Sequence, residues 1–221
     1  MNIAIGMELF DVHTHKKPLA VVNGYDVRYI LNIYPEDFKN AEEDIDSLFS
    51  CGVHPWYSLN TESDLQLLTE IAQDKRVIAI GEAGLDKLQG ADLAIQTDVF
   101  RRQIELAIQT HKPMIIHCVK AWDELIALYK EYKTAIPWII HGYRGKPEQA
   151  KQLAALGFKL SVGEMCSDET IKSIPSDSLF CETDTSVISI YGVYQRVAEV
   201  LNITVDKLST IIAHNVKCTF R

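Results

Sequence analysis

Short apolar segments alternate with amphipathic segments along almost the whole chain. The apolar segments are rich in β-branched and aromatic residues, which is typical of strands. We predict strands over 3–10, 27–34, 48–53, 76–80, 114–116, 138–140, 158–162 and 179–181. Most of the intervening segments carry apolar residues at helical spacing. This alternation predicts repeated βαβ units and therefore a parallel sheet.

The helical segments complete this pattern. Helices are predicted over 92–111, 122–132, 147–156, 168–174, 191–201 and 205–214, with shorter ones after residues 35 and 61. Pro147 suits the first turn of a helix and Gly157 suits its carboxyl end. About eight strands in 221 residues predict one domain over 1–221, a (β/α)8 TIM barrel. The segment between His15 and Val27 is too short for a full helix, so the first helix is expected to be shortened or missing. A doubly wound open sheet is the alternative fold.

Histidines and carboxylates follow the predicted strands. In a parallel barrel the carboxyl ends of all strands open on one face, which carries the active site. Two histidines separated by one residue, His13 and His15, point to the same side of a strand, about 6.6 Å apart. Five of the seven histidines lie at predicted strand ends, and the full set is His13, His15, His54, Glu82, His117, His141 and Asp184. We therefore expect these side chains to meet and to bind metal.

The types of ligand restrict the metal. Imidazole and carboxylate suit Zn, Mn, Fe or Ni, and Mg where carboxylates and waters dominate. The set is larger than one catalytic zinc uses. Two divalent ions about 3.5–4 Å apart fit it better. Glu82 is the expected bridge, because its two oxygens can each bind one ion. We expect Mg²⁺, Mn²⁺ or Zn²⁺ as the cofactor.

Composition limits the classes of partner. The net charge of −8 argues against a broad basic surface for duplex nucleic acid but leaves room for a strand held locally by metal ions. The five cysteines form no Cys-x-x-Cys pair, which favours reduced thiols and a cytoplasmic location. No apolar run approaches the roughly 20 residues of a membrane span, and the first ten residues do not resemble a signal peptide. No membrane partner and no obligate protein partner are expected.

Seven motifs together resemble one family. In chain order they are FDVHTH, CGVHPW, AIGEAGLD, FRRQIELA, MIIHC, IIHGYRG and CETD, between residues 10 and 184. They resemble the TatD family of metal-dependent deoxyribonucleases, a branch of the amidohydrolase-like TIM barrels. The resemblance implies one metal on His13, His15, Glu82 and Asp184, and a second on Glu82, His117 and His141. It also implies that His54 faces the scissile phosphate.

The resemblance implies hydrolysis of phosphodiester bonds in single-stranded DNA by a two-metal mechanism. Asp184, His54 and Glu82 are the expected catalytic residues. Asp184 would accept a proton from water, and His54 would donate a hydrogen bond to a phosphate oxygen. Arg144 and Lys120 are candidate phosphate contacts, and solvated loop charges are an equal alternative. Asp86 is expected either to orient a histidine ligand or to cap a helix.

Three departures from the family pattern affect the substrate. The first helix is nearly absent, Lys16 and Lys17 follow the His-x-His motif, and Thr185-Ser186 replaces a usual proline. Loops at the catalytic face decide substrate choice. A two-metal hydrolase of a small ester, phosphoester or cyclic amide is therefore the alternative function. A non-catalytic barrel that is stabilised by metal and serves as a binding module is a further, minor alternative.

Overall fold

The computed structural model of the protein describes residues 7–41, 47–133 and 135–220. The strands are β1 (Glu8–Thr14), β2 (Val21–Val22), β3 (Tyr25–Ile33), β4 (Leu48–Cys51), β5 (Val77–Asp86), β6 (Met114–Val119), β7 (Trp138–Ile140), β8 (Lys159–Val162) and β9 (Leu179–Cys181). The helices are α1 (Glu62–Ile71), α2 (Leu93–Thr110), α3 (Trp122–Tyr132), α4 (Pro147–Leu156), α5 (Asp168–Ser173), α6 (Ile190–Leu201) and α7 (Val205–Thr219). Short 3-10 helices cover Pro35–Ala41, Pro55–Tyr57 and Ser176–Ser178. No helix among the described residues is long and apolar enough to cross a membrane.

Most predicted elements are present, and three strands extend further than predicted. β1, β5 and β6 continue through His13, Glu82 and His117. β5 and β6 remain paired in parallel as far as Asp86 and Val119. The metal-ligand candidates of these strands therefore lie on regular backbone, which is more rigid than a loop. The start of the first predicted strand, residues 3–6, and the end of the segment after residue 35, residues 42–46, lie outside the described residues.

Contacts divide the chain into two compact units. The first contains the chain up to Leu31 and residues 142–219, and the second contains residues 32–141. The single domain over 1–221 stays a prediction. Each unit keeps the predicted local order of strands and helices.

In the first unit, β1 pairs in parallel with β3, and the short β2 pairs with β3 in antiparallel orientation. β8 and β9 are parallel, and Thr14 and Asp184 form an isolated parallel bridge. Helices α6 and α7 pack on β1 and β9. Residues 15–24 contain β2 and no helix, so the expectation of a missing first helix is confirmed.

In the second unit, β4, β5, β6 and β7 form a parallel sheet in chain order. Helix α2 packs against β5, and α3 packs against β6. The core contains fully buried Phe49, Ile80, Phe100 and Trp138, and the last two rings lie 5.6 Å apart edge to face. Burial of each such side chain contributes about 1.5–3 kcal/mol. The four parallel strands place His54, Glu82, His117 and His141 at one edge, where the carboxyl ends of the strands meet.

Candidate metal clusters

Three imidazole rings converge on one carboxylate oxygen in the second unit. The Oε1 atom of Glu82 lies 2.7 Å from His141 Nε2, 2.9 Å from His117 Nδ1 and 3.0 Å from His54 Nε2. The side chains of all four residues are at least seven-eighths buried. We call His54, Glu82, His117 and His141 the Glu82 cluster. Its donor atoms come from the carboxyl ends of four neighbouring parallel strands.

A second carboxylate orients His117. Asp86 Oδ2 lies 3.1 Å from His117 Nε2 and accepts a 2.6 Å hydrogen bond from Trp56 Nε1. Burial raises the pKa of the Asp86 carboxyl, but hydrogen bonds from Trp56, the Leu88 amide and His117 outweigh it and lower the pKa overall. The N-cap of α2 is Asp92, so Asp86 does not cap that helix. The structure places Asp86 as an orienting partner of His117, an arrangement common behind metal-binding histidines.

The ring of His117 faces a carboxylate at each nitrogen. When Nε2 donates its proton to Asp86, the neutral ring directs the lone pair of Nδ1 toward Glu82. A lone pair that faces a carboxylate oxygen is repelled unless a proton or a metal ion lies between the two atoms. A divalent ion satisfies this arrangement, and the donor set therefore fits a metal.

His54 occupies a different position in the cluster. Its Nδ1 accepts a 3.2 Å hydrogen bond from the Trp56 amide, so the neutral ring carries its proton on Nε2 and donates to Glu82. Burial lowers the pKa of His54, although the hydrogen bond to Glu82 opposes this effect. The ring's one N–H is donated to Glu82 here, so the predicted hydrogen bond to a phosphate oxygen requires this N–H to leave Glu82, and it stays a prediction.

Buried amide side chains support the backbone around the Glu82 cluster. Asn32 Oδ1 accepts a 2.8 Å hydrogen bond from the Glu82 amide. Gln103 bonds both the amide and the carbonyl of Val53, directly before His54, at 2.8 and 3.0 Å. Gln96 does the same for Asp86, at 2.7 and 2.9 Å. Our sequence interpretation missed these residues, although both glutamines lie on the buried stripe of α2.

The first unit holds a smaller and more open cluster. Asp184 Oδ1 lies 3.4 Å from His15 Nε2 and 3.7 Å from His13 Nε2. The His13 side chain is fully buried, whereas those of His15 and Asp184 are 32% and 38% exposed. We call His13, His15 and Asp184 the Asp184 cluster. One side of it is therefore open to water.

Backbone contacts bring the Asp184 cluster together. The Asp184 amide donates to the His13 carbonyl at 2.9 Å, and the His15 amide donates to the Asp184 carbonyl at 3.2 Å. Asp184 has a φ of +52°, in the left-handed region that aspartate tolerates better than most residues. The adjacent Thr183 is bound by the buried carboxylate of Asp11, whose pKa burial raises to about 7. Asp11 was also missed, although it is a charged residue within an apolar strand.

The spacing of donor atoms fits metal coordination in both clusters. In the Asp184 cluster, one candidate donor atom each from His13, His15 and Asp184 lie within 4.8 Å of one another. In the Glu82 cluster, His117 Nδ1 and His141 Nε2 lie 2.9 and 2.7 Å from Glu82 Oε1 and 3.4 Å from each other. Donors bound to one tetrahedral ion at about 2.0–2.1 Å are about 3.3 Å apart. Imidazole and carboxylate donors suit Zn, Mn, Fe or Ni. The residues present therefore fit divalent ions.

The seven predicted residues thus fall into two local sets. His13, His15 and Asp184 meet in the first unit, and His54, Glu82, His117 and His141 meet in the second. The bridging role of Glu82 joins residues of both units and stays a prediction. Lys120 and Arg144 are exposed, and their contact with a substrate also stays a prediction.

Comparison with known proteins identifies similar sequences. A family model described as TatD related DNase matches residues 20–221. YabD of Bacillus subtilis (strain 168), described as an uncharacterized metal-dependent hydrolase, is 30% identical over 203 residues, which cover 81% of this chain and 80% of YabD. A metal-dependent hydrolase of Haemophilus influenzae, also described as uncharacterized, is 29% identical over 221 residues, with 84% of each chain covered.

Solved structures give the fold. The TatD homologue YjjV of Escherichia coli K12 matches with a TM-score of 0.82 and 21% identity, over 96% of this chain and 97% of YjjV. A TatD family hydrolase of Entamoeba histolytica matches with a TM-score of 0.80 and 18% identity, over 97% of this chain and 98% of the other. These likenesses confirm the predicted (β/α)8 TIM barrel rather than the doubly wound open sheet.

Proposed function

The chain belongs to the TatD family of metal-dependent hydrolases, and on that premise we propose that it is a deoxyribonuclease that cleaves phosphodiester bonds of single-stranded DNA with two divalent ions. The observation that carries the proposal is the convergence of three imidazole nitrogens within 3.0 Å of one Glu82 oxygen. A buried donor set of this kind suits a divalent cation.

The two clusters would hold the ions. His13, His15 and Asp184 would bind one, and His117, His141 and Glu82 the other, with Glu82 proposed as a ligand of both. Divalent ions lower the pKa of bound water and offset the charge of the phosphate. Mg²⁺, Mn²⁺ and Zn²⁺ all suit oxygen and imidazole donors.

Side chains of the chain would act on the proton and on the phosphate. The Asp184 carboxylate is 38% exposed, so water can reach it and transfer a proton to it. The water oxygen forms the new bond to phosphorus as the bond from phosphorus to the leaving deoxyribose oxygen breaks. With Glu82 bound to an ion, the Nε2–H of His54 would turn from Glu82 to a phosphate oxygen and add positive potential where negative charge develops. Solvent protonates the leaving oxygen.

The exposed cations Lys120 and Arg144 are the proposed contacts for neighbouring phosphates. We propose a cytoplasmic location, because all five cysteines are free thiols. We propose single-stranded rather than duplex DNA as the substrate, because a chain of net charge −8 has little excess positive charge for a broad surface that binds phosphates.

A small ester or phosphoester is the second candidate substrate, and one contact favours it. Lys16 Nζ, directly after the His-x-His motif, donates to the Ser186 carbonyl at 2.7 Å. This bond holds the Lys16 side chain against the loop after β9, which leaves it less free to follow the phosphates of a DNA strand. Rising salt weakens binding of a polyanionic strand and changes binding of a small substrate little.

The test is cleavage of an end-labelled single-stranded oligonucleotide with Mg²⁺, Mn²⁺ or EDTA. We expect metal-dependent cleavage by the native protein and none by Glu82→Ala. Glu70→Ala makes the same change at an exposed position on α1 and should cleave like the native protein.

Two results would contradict the proposal. Equal cleavage by Glu82→Ala would show that the reaction does not use this cluster. Absence of cleavage by protein that holds two ions would move the function to the small-substrate hydrolase, which a chromogenic phosphodiester or carboxylic ester then tests directly.

A further inference from the structure

A buried carboxylate serves both donors of the residue before Asp184. Asp11 Oδ1 accepts the Thr183 amide at 3.0 Å, and Asp11 Oδ2 accepts the Thr183 hydroxyl at 2.6 Å. Asp11 lies inside β1 and is only 1% exposed. Burial disfavours a charged carboxylate unless hydrogen bonds compensate. Here the compensating bonds come mainly from Thr183, 172 positions further along the chain, and the backbone of His13 contributes a weaker one.

Thr183 transmits this contact to the Asp184 cluster. The Thr183 hydroxyl oxygen also lies 3.1 Å from the hydroxyl oxygen of Thr14, which is the residue between His13 and His15. Directly after Thr183, the Asp184 amide donates to the His13 carbonyl at 2.9 Å. Three hydrogen-bonding groups therefore hold the chain at this point: the amide and the hydroxyl of Thr183, and the amide of Asp184.

The backbone conformation of Asp184 requires such support. Its φ of +52° lies in the left-handed region, which non-glycine residues keep when surrounding contacts determine it. This conformation directs the carboxylate toward His15 Nε2, 3.4 Å away. A relaxed φ would turn the carboxylate away from the two histidines.

We propose that Asp11 and Thr183 are positioning residues that hold the Asp184 carboxylate toward His13 and His15 and so set the affinity of the Asp184 cluster for its ion. In this proposal neither residue touches the substrate or the ion. The inference rests on the proposed function only in that the Asp184 cluster binds an ion.

The test measures metal affinity without catalysis. Zn²⁺ is titrated by calorimetry into metal-free His117→Ala protein, in which the Glu82 cluster lacks a donor. In this background Thr183→Val removes the hydroxyl at nearly constant size and should weaken binding about 10–100-fold, as loss of an outer partner of a ligand does. Thr183→Ser keeps the hydroxyl and should stay within about threefold of the background, by the same argument.

A matched control removes another buried hydroxyl that bonds to β1, that of Ser209 on α7. Ser209 Oγ donates to the Glu8 carbonyl at 2.7 Å, at the opposite end of that strand. Ser209→Ala should destabilise the fold modestly, in thermal unfolding, and leave zinc affinity unchanged. If Thr183→Val does not fold, Asp11→Asn replaces it and should weaken zinc binding about tenfold.

Each outcome decides the matter. Thr183→Val affinity equal to the background would overturn the positioning role, as would equal losses in Thr183→Ser and Thr183→Val. Failure of the His117→Ala background itself to bind zinc would instead contradict the metal assignment of the Asp184 cluster, and the positioning role would fall with it.

Discussion

The two clusters share one chemistry and differ in their surroundings. Three histidine side chains in the Glu82 cluster are no more than 12% exposed, whereas His15 and Asp184 are 32% and 38% exposed. The Glu82 cluster packs three imidazoles within 3.0 Å of one oxygen. The distances in the Asp184 cluster are 3.4 and 3.7 Å.

This difference separates two tasks. A buried, closely supported donor set is preorganised for its ion and loses little entropy on binding it. An open cluster leaves room for water and for a substrate oxygen, which a catalytic ion needs. We infer that the Glu82 cluster mainly retains metal and that the Asp184 cluster provides access for the reactants.

Removal of the central carboxylate should have the largest effect. In Glu82→Ala, three imidazole nitrogens lose their shared carboxylate partner. Retained metal, measured by mass spectrometry of the purified protein, should fall by at least one equivalent. Hydrolysis should fall beyond the roughly 10–100-fold that loss of an outer-shell partner costs. Full metal content in Glu82→Ala, with Glu70→Ala as the matched control, would refute the retaining role.

Asp184→Asn should have the next largest effect and should act on turnover more than on folding. The amide keeps the size of the side chain and one oxygen but cannot accept a proton from water. We expect turnover to fall about 100-fold or more, within the range for loss of a general base. Asp26→Asn, at an exposed position of β3, should have no effect. Unchanged turnover in Asp184→Asn would exclude Asp184 as the base.

Asp86→Asn should have a moderate effect that is confined to the Glu82 cluster. The neutral amide orients His117 less strongly than the carboxylate does. Metal affinity measured by calorimetry should fall about 10–100-fold. An affinity loss as large as that of Glu82→Ala would mean that Asp86 itself binds the ion.

Trp56→Phe should have the smallest effect. It removes the 2.6 Å hydrogen bond to Asp86 and keeps an aromatic ring beside His54. Asp86 keeps the hydrogen bonds that its Oδ1 accepts from the amides of Leu88 and Gln89, so the carboxylate stays partly satisfied. We expect metal affinity to fall less than about tenfold. The corresponding loss of binding free energy is below the roughly 1.5–3 kcal/mol typical of a hydrogen bond to a charged group. A larger loss than in Asp86→Asn would contradict this order.

The sequence predicts the elements and the ligand candidates well, for one physical reason. Parallel strands end at a common edge, so the residues that follow apolar runs meet there. His54, Glu82, His117 and His141 were found in this way, although they are spread over residues 54–141. Local periodicity and a topological rule suffice for these residues.

The extension of β5 could not be predicted from periodicity. Gly81 and Gly84 suggest a loop after residue 80, yet both lie within the strand. A Cβ on Gly84 would approach the His117 carbonyl oxygen to 2.0 Å, and one on Gly81 would approach the Ile115 carbonyl oxygen to 2.3 Å. The glycines permit close contact with β6, which is a property of the neighbouring strand and not of the local sequence.

The supporting polar residues were missed for a similar reason. Asp11, Asn32 and Gln103 bond backbone groups at least 50 positions away. A polar residue in an apolar stripe indicates a buried partner, but only the tertiary structure identifies that partner. The metal-ligand candidates are therefore predictable from sequence, whereas among the groups that orient or support them only Asp86 was a candidate.

Anomalous diffraction from crystals soaked in Mn²⁺ or Zn²⁺ tests the central claim most directly, because it locates each ion relative to its donors. We predict one peak within coordination distance of His13, His15 and Asp184, and another beside Glu82, His117 and His141. Occupancy of the first peak should fall sooner during a timed soak in chelator, because that cluster is open to water. Peaks at neither cluster, or equal rates of loss from both, would contradict the account.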